Sequence, residues 1–190
     1  EHCAAMALAT PEGATHSAVA SGDWSDANVW QNGAVPTEGA AAYVPAGMTV
    51  TVDGVVAETI QTLRIDGTLR FDPTVNTELR VDTVIAAPGS RFEMGTAANP
   101  IADGVTARLV VADTGVVDRV NDPFFLGRGL VLHGSTEIHG AAKTSFATSA
   151  VAPRAGDTTI TLSEVPSNWD VGDTLVIAGT RTDAEGEEVV

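Results

Sequence analysis

Two histidines and a glutamate have the residue types and the spacing of a transition-metal site. His133, Glu137 and His139 occupy odd-numbered positions, whereas the apolar Leu130, Leu132 and Ile138 occupy even-numbered positions. Alternate side chains of an unbroken β-strand share one face, so this spacing would bring two imidazoles and a carboxylate together, a ligand set for zinc or another transition metal. Gly134 interrupts the pattern. The alternative is that these side chains face solvent or form hydrogen bonds on neighbouring strands, with His139 bonding a turn carbonyl.

Two acidic clusters could supply oxygen ligands to calcium. Asp23, Asp26 and Asn28 form the first cluster, which lacks the glycine and the terminal glutamate of an EF-hand loop. The second cluster consists of Asp118, Asn121 and Asp122. Because calcium binds where several carboxylate and carbonyl oxygens converge, Ca²⁺ is the candidate cofactor. The alternative is that these side chains cap turns through hydrogen bonds to the backbone.

The three tryptophans, Trp24, Trp30 and Trp169, are the candidate ligand-binding residues. An exposed aromatic ring can stack on the face of a sugar, whereas a buried ring packs into a core. Trp24 and Trp30 have a second interpretation, because rings near the first strands can close the end of a stack whose backbone groups would otherwise lack partners. An apolar triplet, Phe124–Leu126, either folds back onto the strands or forms a partner surface.

No sequence motif singles out a catalytic centre. The chain has 25 Asp and Glu residues, so pairs of carboxylates like those of a glycosidase are unavoidable and identify nothing. The sequence contains no nucleophile elbow, phosphate loop, zinc-protease helix or Cys/His pairing. We therefore do not expect this chain to be catalytic on its own.

Charge and composition exclude several classes of partner. The formal net charge of −15 opposes binding to the nucleic-acid backbone. The sequence has no apolar run of about 18 residues, so it contains no predicted membrane span. Cys3 is the only cysteine, which excludes a disulfide within the chain. The chain opens on Glu-His-Cys without an initiator methionine, and we expect a trimmed N-terminus.

Short β-strands must position these residues. From Trp24 onward, apolar and β-branched runs recur between Gly, Asp, Asn and Pro residues, and helical spacing is almost absent. The chain is therefore predicted to be all-β, with at most one short helix, around Cys3–Leu8. The predicted strands are Met48–Val52, Leu63–Ile65, Thr68–Phe71, Leu79–Ile85, Arg91–Met94, Arg108–Ala112, Gly129–Leu132, Thr136–His139, Thr158–Leu162 and Thr174–Ala178.

Two all-β architectures fit these strands. Asp66-Gly67 between alternating apolar residues is a hairpin signal, which favours an antiparallel β-sandwich. The same pattern fits a parallel β-solenoid, or β-helix, in which each short strand ends at a corner and successive coils stack. Aromatic residues make up only 5% of the chain, and a core of small and β-branched residues favours the solenoid. The β-solenoid is the predicted fold, and the sandwich is the alternative.

An ordered set of motifs resembles the G8 domain, a family named for its recurring glycines. The motifs are Asp23–Trp30, Gly33–Pro36, Gly39, Tyr43–Asp53, Leu63–Phe71, the stretch with Gly89, Phe92 and Gly95, and Thr136–Gly140. Trp169–Ala178 is similar to the segment that follows G8 in its larger relatives. The resemblance implies an extracellular protein, akin to secreted and cell-surface hyaluronidases and fibrocystin-type receptors, in which a longer right-handed parallel β-helix follows the G8 domain. It implies no active site that can be placed on this sequence.

These observations divide the chain into an N-terminal extension (1–20), a G8-like domain (21–142) and the start of a further β-rich segment (143–190). The apolar end, Glu187–Val190, is predicted to begin another strand. We predict a non-catalytic, monomeric module of a larger secreted or cell-surface protein, which caps or presents a β-helix and binds polysaccharide or a cell-surface glycan. One alternative is the N-terminal part of a hyaluronidase-like enzyme that hydrolyses polysaccharide. Another is a purely structural cap.

Overall fold

The structure is a computed structural model that describes residues 2–154, 156–177, 181–182 and 188–189. The chain divides into two units, residues 1–141 and residues 142–190. The first unit comprises helix α1 (His2–Leu8) and strands β1 (His16–Ser17), β2 (Gly22–Asp23), β3 (Ala41–Val44), β4 (Thr49–Val52), β5 (Val55–Ile65), β6 (Thr68–Phe71), β7 (Thr77–Ala86), β8 (Arg91–Met94), β9 (Ala107–Val111), β10 (Gly129–Leu132) and β11 (Ser135–Ile138). Short 3₁₀ turns lie at Pro11–Gly13, Ala27–Val29 and Gln31–Gly33. The second unit contains β12 (Arg181–Thr182) and β13 (Glu188–Val189).

The strands of the first unit form two sheets in which all neighbours are parallel. The first sheet has the order β1-β3-β5-β7, and both β9 and β10 pair with β7. The second sheet has the order β2-β4-β6-β8-β11. The chain thus passes between the sheets after almost every strand and returns to lie beside the previous strand of the same sheet. The all-β prediction is confirmed, and the parallel pairing does not fit the antiparallel alternative: Asp66-Gly67 joins strands of different sheets and closes no hairpin.

Aligned apolar residues from successive strands form the core of the first unit. In the first sheet, Val44 pairs in register with Ile65, and Ile65 with Ala86. The second sheet aligns Leu69 with Phe92 in the same way. All five side chains are almost fully buried. Alternate residues of each strand therefore face one core, and the strand register fixes which residues these are.

Helix α1 covers part of the outer face of the first sheet, where it packs against β7. Arg64 in β5 lies in register with the buried Ile85 in β7. The Arg64 guanidinium donates hydrogen bonds to the carbonyl oxygens of Met6, at 3.4 Å, and Ala9, at 3.2 Å. These carbonyls lie at the C-terminal end of the helix, where a cation satisfies free acceptors and is stabilised by the helix dipole. The N-terminal extension is thereby fixed to the sheet.

The second unit has little regular structure among its described residues. Strands β12 and β13 pair antiparallel. The predicted strand Thr158–Leu162 is represented by an isolated antiparallel bridge between Ser149 and Leu162. A strand needs a hydrogen-bonded neighbour along its length, and the hydrogen bond from the Ala150 N–H to the Thr161 carbonyl, at 2.7 Å, reaches only the end of this segment.

Two predicted strands reach residues that the structure does not describe. In Thr174–Ala178, residues 174–177 form no strand and Ala178 lies outside the described residues. In Glu187–Val190, Glu188 and Val189 form β13, whereas Glu187 and Val190 lie outside the described residues.

Candidate functional site

The bend between β10 and β11 separates the predicted transition-metal ligands. His133 lies between β10, which ends at Leu132, and β11, which begins at Ser135. A side chain on Gly134 would overlap the backbone of Ser90, so the bend at this position requires a glycine. His133 and Glu137 consequently lie on opposite sides of a bend between the two sheets and do not share a strand face.

Glu137 and His139 have partners of other kinds. The carboxylate of Glu137 accepts a hydrogen bond from the Arg91 guanidinium at 3.0 Å, in an exposed ion pair. The backbone N–H of His139 donates to the Met94 carbonyl at 3.0 Å, and the His139 carbonyl accepts from the Ile101 N–H at 2.9 Å. Within the described residues, no group of three or more His, Cys, Asp or Glu side chains is arranged to hold a metal ion. A transition-metal site at these residues stays a prediction.

The first acidic cluster forms a capped turn. The Asp26 carboxylate accepts hydrogen bonds from the backbone N–H of Asn28, at 2.9 Å, and from its side-chain amide, at 2.8 Å. Asp26 thereby caps the 3₁₀ turn Ala27–Val29. Asp23 lies in β2 with an exposed side chain. The hydrogen bonds of Asp26 and Asn28 match the turn-capping alternative, and calcium binding here stays a prediction.

The second acidic cluster is also used in turns. The backbone N–H of Val120 donates to the Asp118 carboxylate at 2.9 Å, and the Asn121 side chain donates at 2.6 Å. These hydrogen bonds hold the pKa of Asp118 below its ordinary value, and the bond from Val120 has the largest effect. Asp122 is buried and accepts from the N–H groups of Leu126 and Gly127. Both carboxylates therefore stabilise the local backbone.

Trp24 and Trp30 close one end of the two sheets. Both indoles are only 1% exposed, and they pack edge to face with ring centroids 4.9 Å apart. The Trp30 indole N–H donates to the Trp24 carbonyl at 2.8 Å, and the Trp24 backbone N–H donates to the Thr51 carbonyl at 2.7 Å. Trp24 directly follows β2, the first strand of the second sheet, which lies at its edge. The rings are accordingly part of the core at this end, and their faces are covered.

The opposite end of the sheets exposes apolar side chains. Leu130 and Ile138 continue the inward-facing columns of Val84 and Met94, yet they are 39% and 64% exposed. No further strand of the described part of this unit lies beyond them. A shallow cavity of about 430 Å³ between them also borders Leu109. The core of the first unit is therefore closed at its first strands and open at its last.

Trp169 lines a groove within the second unit. The groove has a volume of about 1080 Å³, and the half-buried Trp169 donates its indole N–H to the Thr144 carbonyl at 2.6 Å. Lys143, also on the groove, forms ion pairs with Asp173 at 2.9 Å and with Asp170 at 3.5 Å. A backbone hydrogen bond from Asp170 and the one from Lys143 hold the pKa of Asp173 below its ordinary value. The groove thus combines a fixed aromatic ring with ionised groups.

Sequence reasoning missed two buried polar residues in β7. Asp82 and Thr83 lie between the apolar residues Val81 and Val84 of the predicted strand Leu79–Ile85, and both are almost fully buried. The Thr83 hydroxyl donates to the Asp82 carboxylate at 2.7 Å, and the Arg128 backbone N–H donates to the Thr83 hydroxyl at 2.9 Å. Two adjacent polar residues between apolar neighbours of a predicted strand could have indicated a contact with a distant segment, because buried polar groups require hydrogen-bond partners.

Comparisons with known proteins agree with the resemblance. A family model described as the G8 domain matches residues 29–150. Among curated proteins, Fibrocystin-L of Mus musculus is 28% identical over 170 residues, which cover 87% of this chain and 4% of the relative. The chain thus spans a small part of that protein's length. No solved structure matches the chain. Among the described residues, no helix is long and apolar enough to cross a membrane.

Proposed function

The chain belongs to the G8 domain family, and on this basis we propose that it is a non-catalytic extracellular module that caps a β-helical stack. The family resemblance supports an extracellular or cell-surface setting. The small share of Fibrocystin-L that the chain spans supports its being one module of a larger protein. The absence of catalytic motifs from the sequence supports a non-catalytic role.

The architecture proposed for this module is a right-handed parallel β-solenoid. The alternation between two sheets supports it, since each pass through both sheets adds one parallel strand to each. The register of the pairs keeps equivalent residues aligned from one pass to the next, as in stacked coils. The handedness follows from the family resemblance and from the strong preference of parallel connections for the right-handed path.

The difference between the two ends is the observation that carries the capping proposal. At the first strands, Trp24 and Trp30 pack into the core and are themselves only 1% exposed. At the last strands, Leu130 and Ile138 face inward and remain exposed. Exposed apolar core positions and unpaired strand edges favour the addition of further strands. A module with one closed and one open end is suited to begin a stack.

Thiol accessibility tests the capping proposal. In a Cys3→Ser background, we expect the thiol introduced by Ile138→Cys to react freely in this chain and to be protected about ten-fold or more in the complete gene product. Val55→Cys is the matched control, because Val55 is 66% exposed and should react in both proteins. Leu69→Cys, at a buried position, should be unreactive in both. Equal reactivity of the Ile138→Cys thiol in the two proteins would refute capping.

A second proposed function is polysaccharide binding in the groove of the second unit. The half-buried Trp169 beside Lys143 and Asp173 is the observation that favours it, because sugar sites combine an aromatic face with polar groups. The net charge of −15 opposes anionic chains, so we expect stacking to dominate and a panel of polysaccharides should include neutral ones.

Calorimetric titration tests polysaccharide binding, with and without calcium. Binding should be lost in Trp169→Ala and retained in Trp24→Phe, whose ring is buried. Absence of heat with every glycosaminoglycan and neutral polysaccharide would remove this function. The viscosity of a hyaluronan solution incubated with the chain tests the alternative of a hyaluronidase-like enzyme. We expect no change in viscosity, and a fall would overturn the non-catalytic assignment.

A further inference from the structure

A long insertion interrupts the last strand of the first sheet. Strand β9 pairs with Thr77–Val81 of β7, and β10 pairs with the adjoining Thr83–Ala86. Asp82 is therefore the one residue of β7 between the two paired segments, and on the neighbouring side residues 112–128 connect β9 to β10 at this point. We call residues 112–128 the insertion loop. Loops of this length within a regular fold are uncommon and are often functional.

Buried groups of β7 hold both ends of the insertion loop. Near its start, the Thr114 hydroxyl donates to the Asp82 carboxylate. At its end, the Arg128 guanidinium forms ion pairs with Asp82, at 3.7 Å, and with Asp113, at 2.8 Å. The Thr83 hydroxyl accepts the Arg128 backbone N–H, as described above. The loop is thus fixed at its base by hydrogen bonds and ion pairs.

Asp122 organises the interior of the insertion loop. Its carboxylate accepts hydrogen bonds from the backbone N–H groups of Leu126, at 2.9 Å, and Gly127, at 2.8 Å. Its own N–H donates to the Asp118 carbonyl at 2.7 Å, which closes the preceding turn. A buried carboxylate satisfied by several backbone donors stabilises one loop conformation. The apolar side chains on the loop are therefore presented by an ordered backbone.

Four large apolar side chains of the insertion loop remain exposed. Val116 is 97% exposed, Val120 88%, Phe124 57% and Phe125 55%. Single exposed apolar residues are common on protein surfaces, but two valines and two phenylalanines are exposed here within ten residues of one anchored loop. The hydrogen bonds at the loop base and at Asp122 are internal, so the apolar tip is what the loop offers to a partner.

We propose that the insertion loop docks into an apolar pocket, rimmed by basic residues, on a partner protein. Asp113 is neutralised by Arg128, but the carboxylate of Asp118 is exposed beside the apolar side chains. The whole chain carries a net charge of −15, so a basic rim on the partner is complementary. Aromatic residues, Phe among them, are enriched in protein interfaces, and the rim around the buried centre of an interface is polar.

The insertion loop is less suited to binding a sugar, an anionic membrane surface or a second copy of the chain. The Arg119 guanidinium lies over the Phe125 ring, 5.1 Å from its centre, and so covers a face that a sugar would need. Valines offer no stacking surface. A net charge of −15 opposes both an anionic membrane surface and a second copy of the chain.

Selection of peptides displayed on phage against the whole chain tests the proposal. Interaction hot spots capture such peptides preferentially, and we expect the selected peptides to combine Lys or Arg with apolar residues. Their affinity should fall about ten-fold or more in the double variant Val120→Ser/Phe124→Ser. The matched control is Val19→Ser/Val55→Ser, which removes exposed valines outside the loop and should leave affinity unchanged.

A second variant separates the order of the loop from its apolar side chains. Asp122→Ala keeps all four exposed residues and removes the acceptor of two backbone hydrogen bonds, so peptide affinity should fall while global unfolding changes little. Peptides that bind the double variant equally well, or that lack basic residues, overturn the proposal. Failure to select any peptide overturns it as well. Loop-dependent binding to phosphatidylcholine or phosphatidylserine vesicles, or loop-dependent self-association in sedimentation, assigns the loop to a membrane or a second copy instead.

Discussion

The two tryptophans at the closed end differ in how their indole N–H groups are satisfied. The Trp30 N–H donates to a buried carbonyl, whereas the Trp24 N–H is buried without a hydrogen-bond partner among the described residues. Replacing Trp30 with Phe removes an existing hydrogen bond, whereas replacing Trp24 with Phe removes a buried N–H that has no acceptor in the described part of the chain. We expect Trp30→Phe to lower the free energy of unfolding by about 1–3 kcal/mol more than Trp24→Phe does. Urea unfolding of the two variants measures this difference, and a larger loss for Trp24→Phe would contradict it.

Tyr43 links stability to alkaline pH. Burial, followed by the hydrogen bond to Asp66 and its negative charge, raises the pKa of Tyr43 above the ordinary value of 10.0. A raised pKa of an acid means that the folded state favours the neutral form, so the stabilisation is complete below about pH 10 and is lost as pH rises through the folded pKa.

Absorbance of the tyrosinate ion measures this titration directly, because Tyr43 is the only tyrosine in the chain. We expect its midpoint above that of the unfolded chain. Tyr43→Phe should remove the corresponding loss of stability at alkaline pH. A midpoint at or below the unfolded value would show that the contact with Asp66 is absent in solution.

At the scale of the elements, the bend between β5 and β6 depends on one glycine. A side chain at Gly67 would overlap the backbone carbonyl oxygens of Pro45 and Met48, which cannot move without breaking the preceding turn. We expect Gly67→Ala to lower the free energy of unfolding by about 3 kcal/mol. Gly54→Ala is the matched control, because a side chain there meets no atom within 4 Å and should change the free energy little. Similar losses for the two variants in chemical unfolding would contradict the close approach at Gly67.

The sequence allowed several strands to be predicted with correct bounds, but not their pairing. Predicted Thr68–Phe71, Arg91–Met94 and Gly129–Leu132 coincide with β6, β8 and β10, because runs of β-branched and apolar residues between turn residues specify local extension. Asp66-Gly67 is compatible with a hairpin and with a bend between sheets, so only the distant neighbours of β5 and β6 decide between parallel and antiparallel pairing.

The candidate sites were predictable only in part, because the sequence shows local contacts but not which distant strands lie side by side. Turn capping by Asp26 and Asp118 is local and follows from residue type. The insertion loop was hidden because β9 and β10 look like two separate strands until both are seen beside β7. The spacing of His133 and Glu137 suggested a shared face because strand alternation was counted across Gly134, where the chain leaves one sheet for the other.

At the scale of the whole molecule, stability must overcome a strong excess of negative charge. The net charge of −15 makes the folded chain repel itself, and in ion pairs such as Arg91–Glu93, Arg91–Glu137 and Arg128–Asp113 one partner is exposed to solvent. Sodium chloride screens this repulsion. We expect a rise from low to physiological ionic strength to stabilise the fold by about 1 kcal/mol, which corresponds to about 2–4 °C in Tm for a chain of this size. A Tm that falls with salt would mean that attractive ion pairs dominate.

Because the chain is so acidic, any divalent cation should stabilise the fold by screening its negative charge. A specific calcium site would add to this effect, and a comparison of CaCl₂ with MgCl₂ separates the two. Asp26 already accepts two hydrogen bonds from Asn28, so we expect CaCl₂ and MgCl₂ to raise Tm equally at matched ionic strength. A specific calcium site would instead hold oxygen ligands that Mg²⁺ does not match, and CaCl₂ would give an additional rise. That additional rise should disappear in Asp26→Asn and persist in Glu58→Gln, which removes one negative charge from an exposed position elsewhere. Loss of the rise in both variants would identify net charge as its cause, because only a site at Asp26 distinguishes the two substitutions.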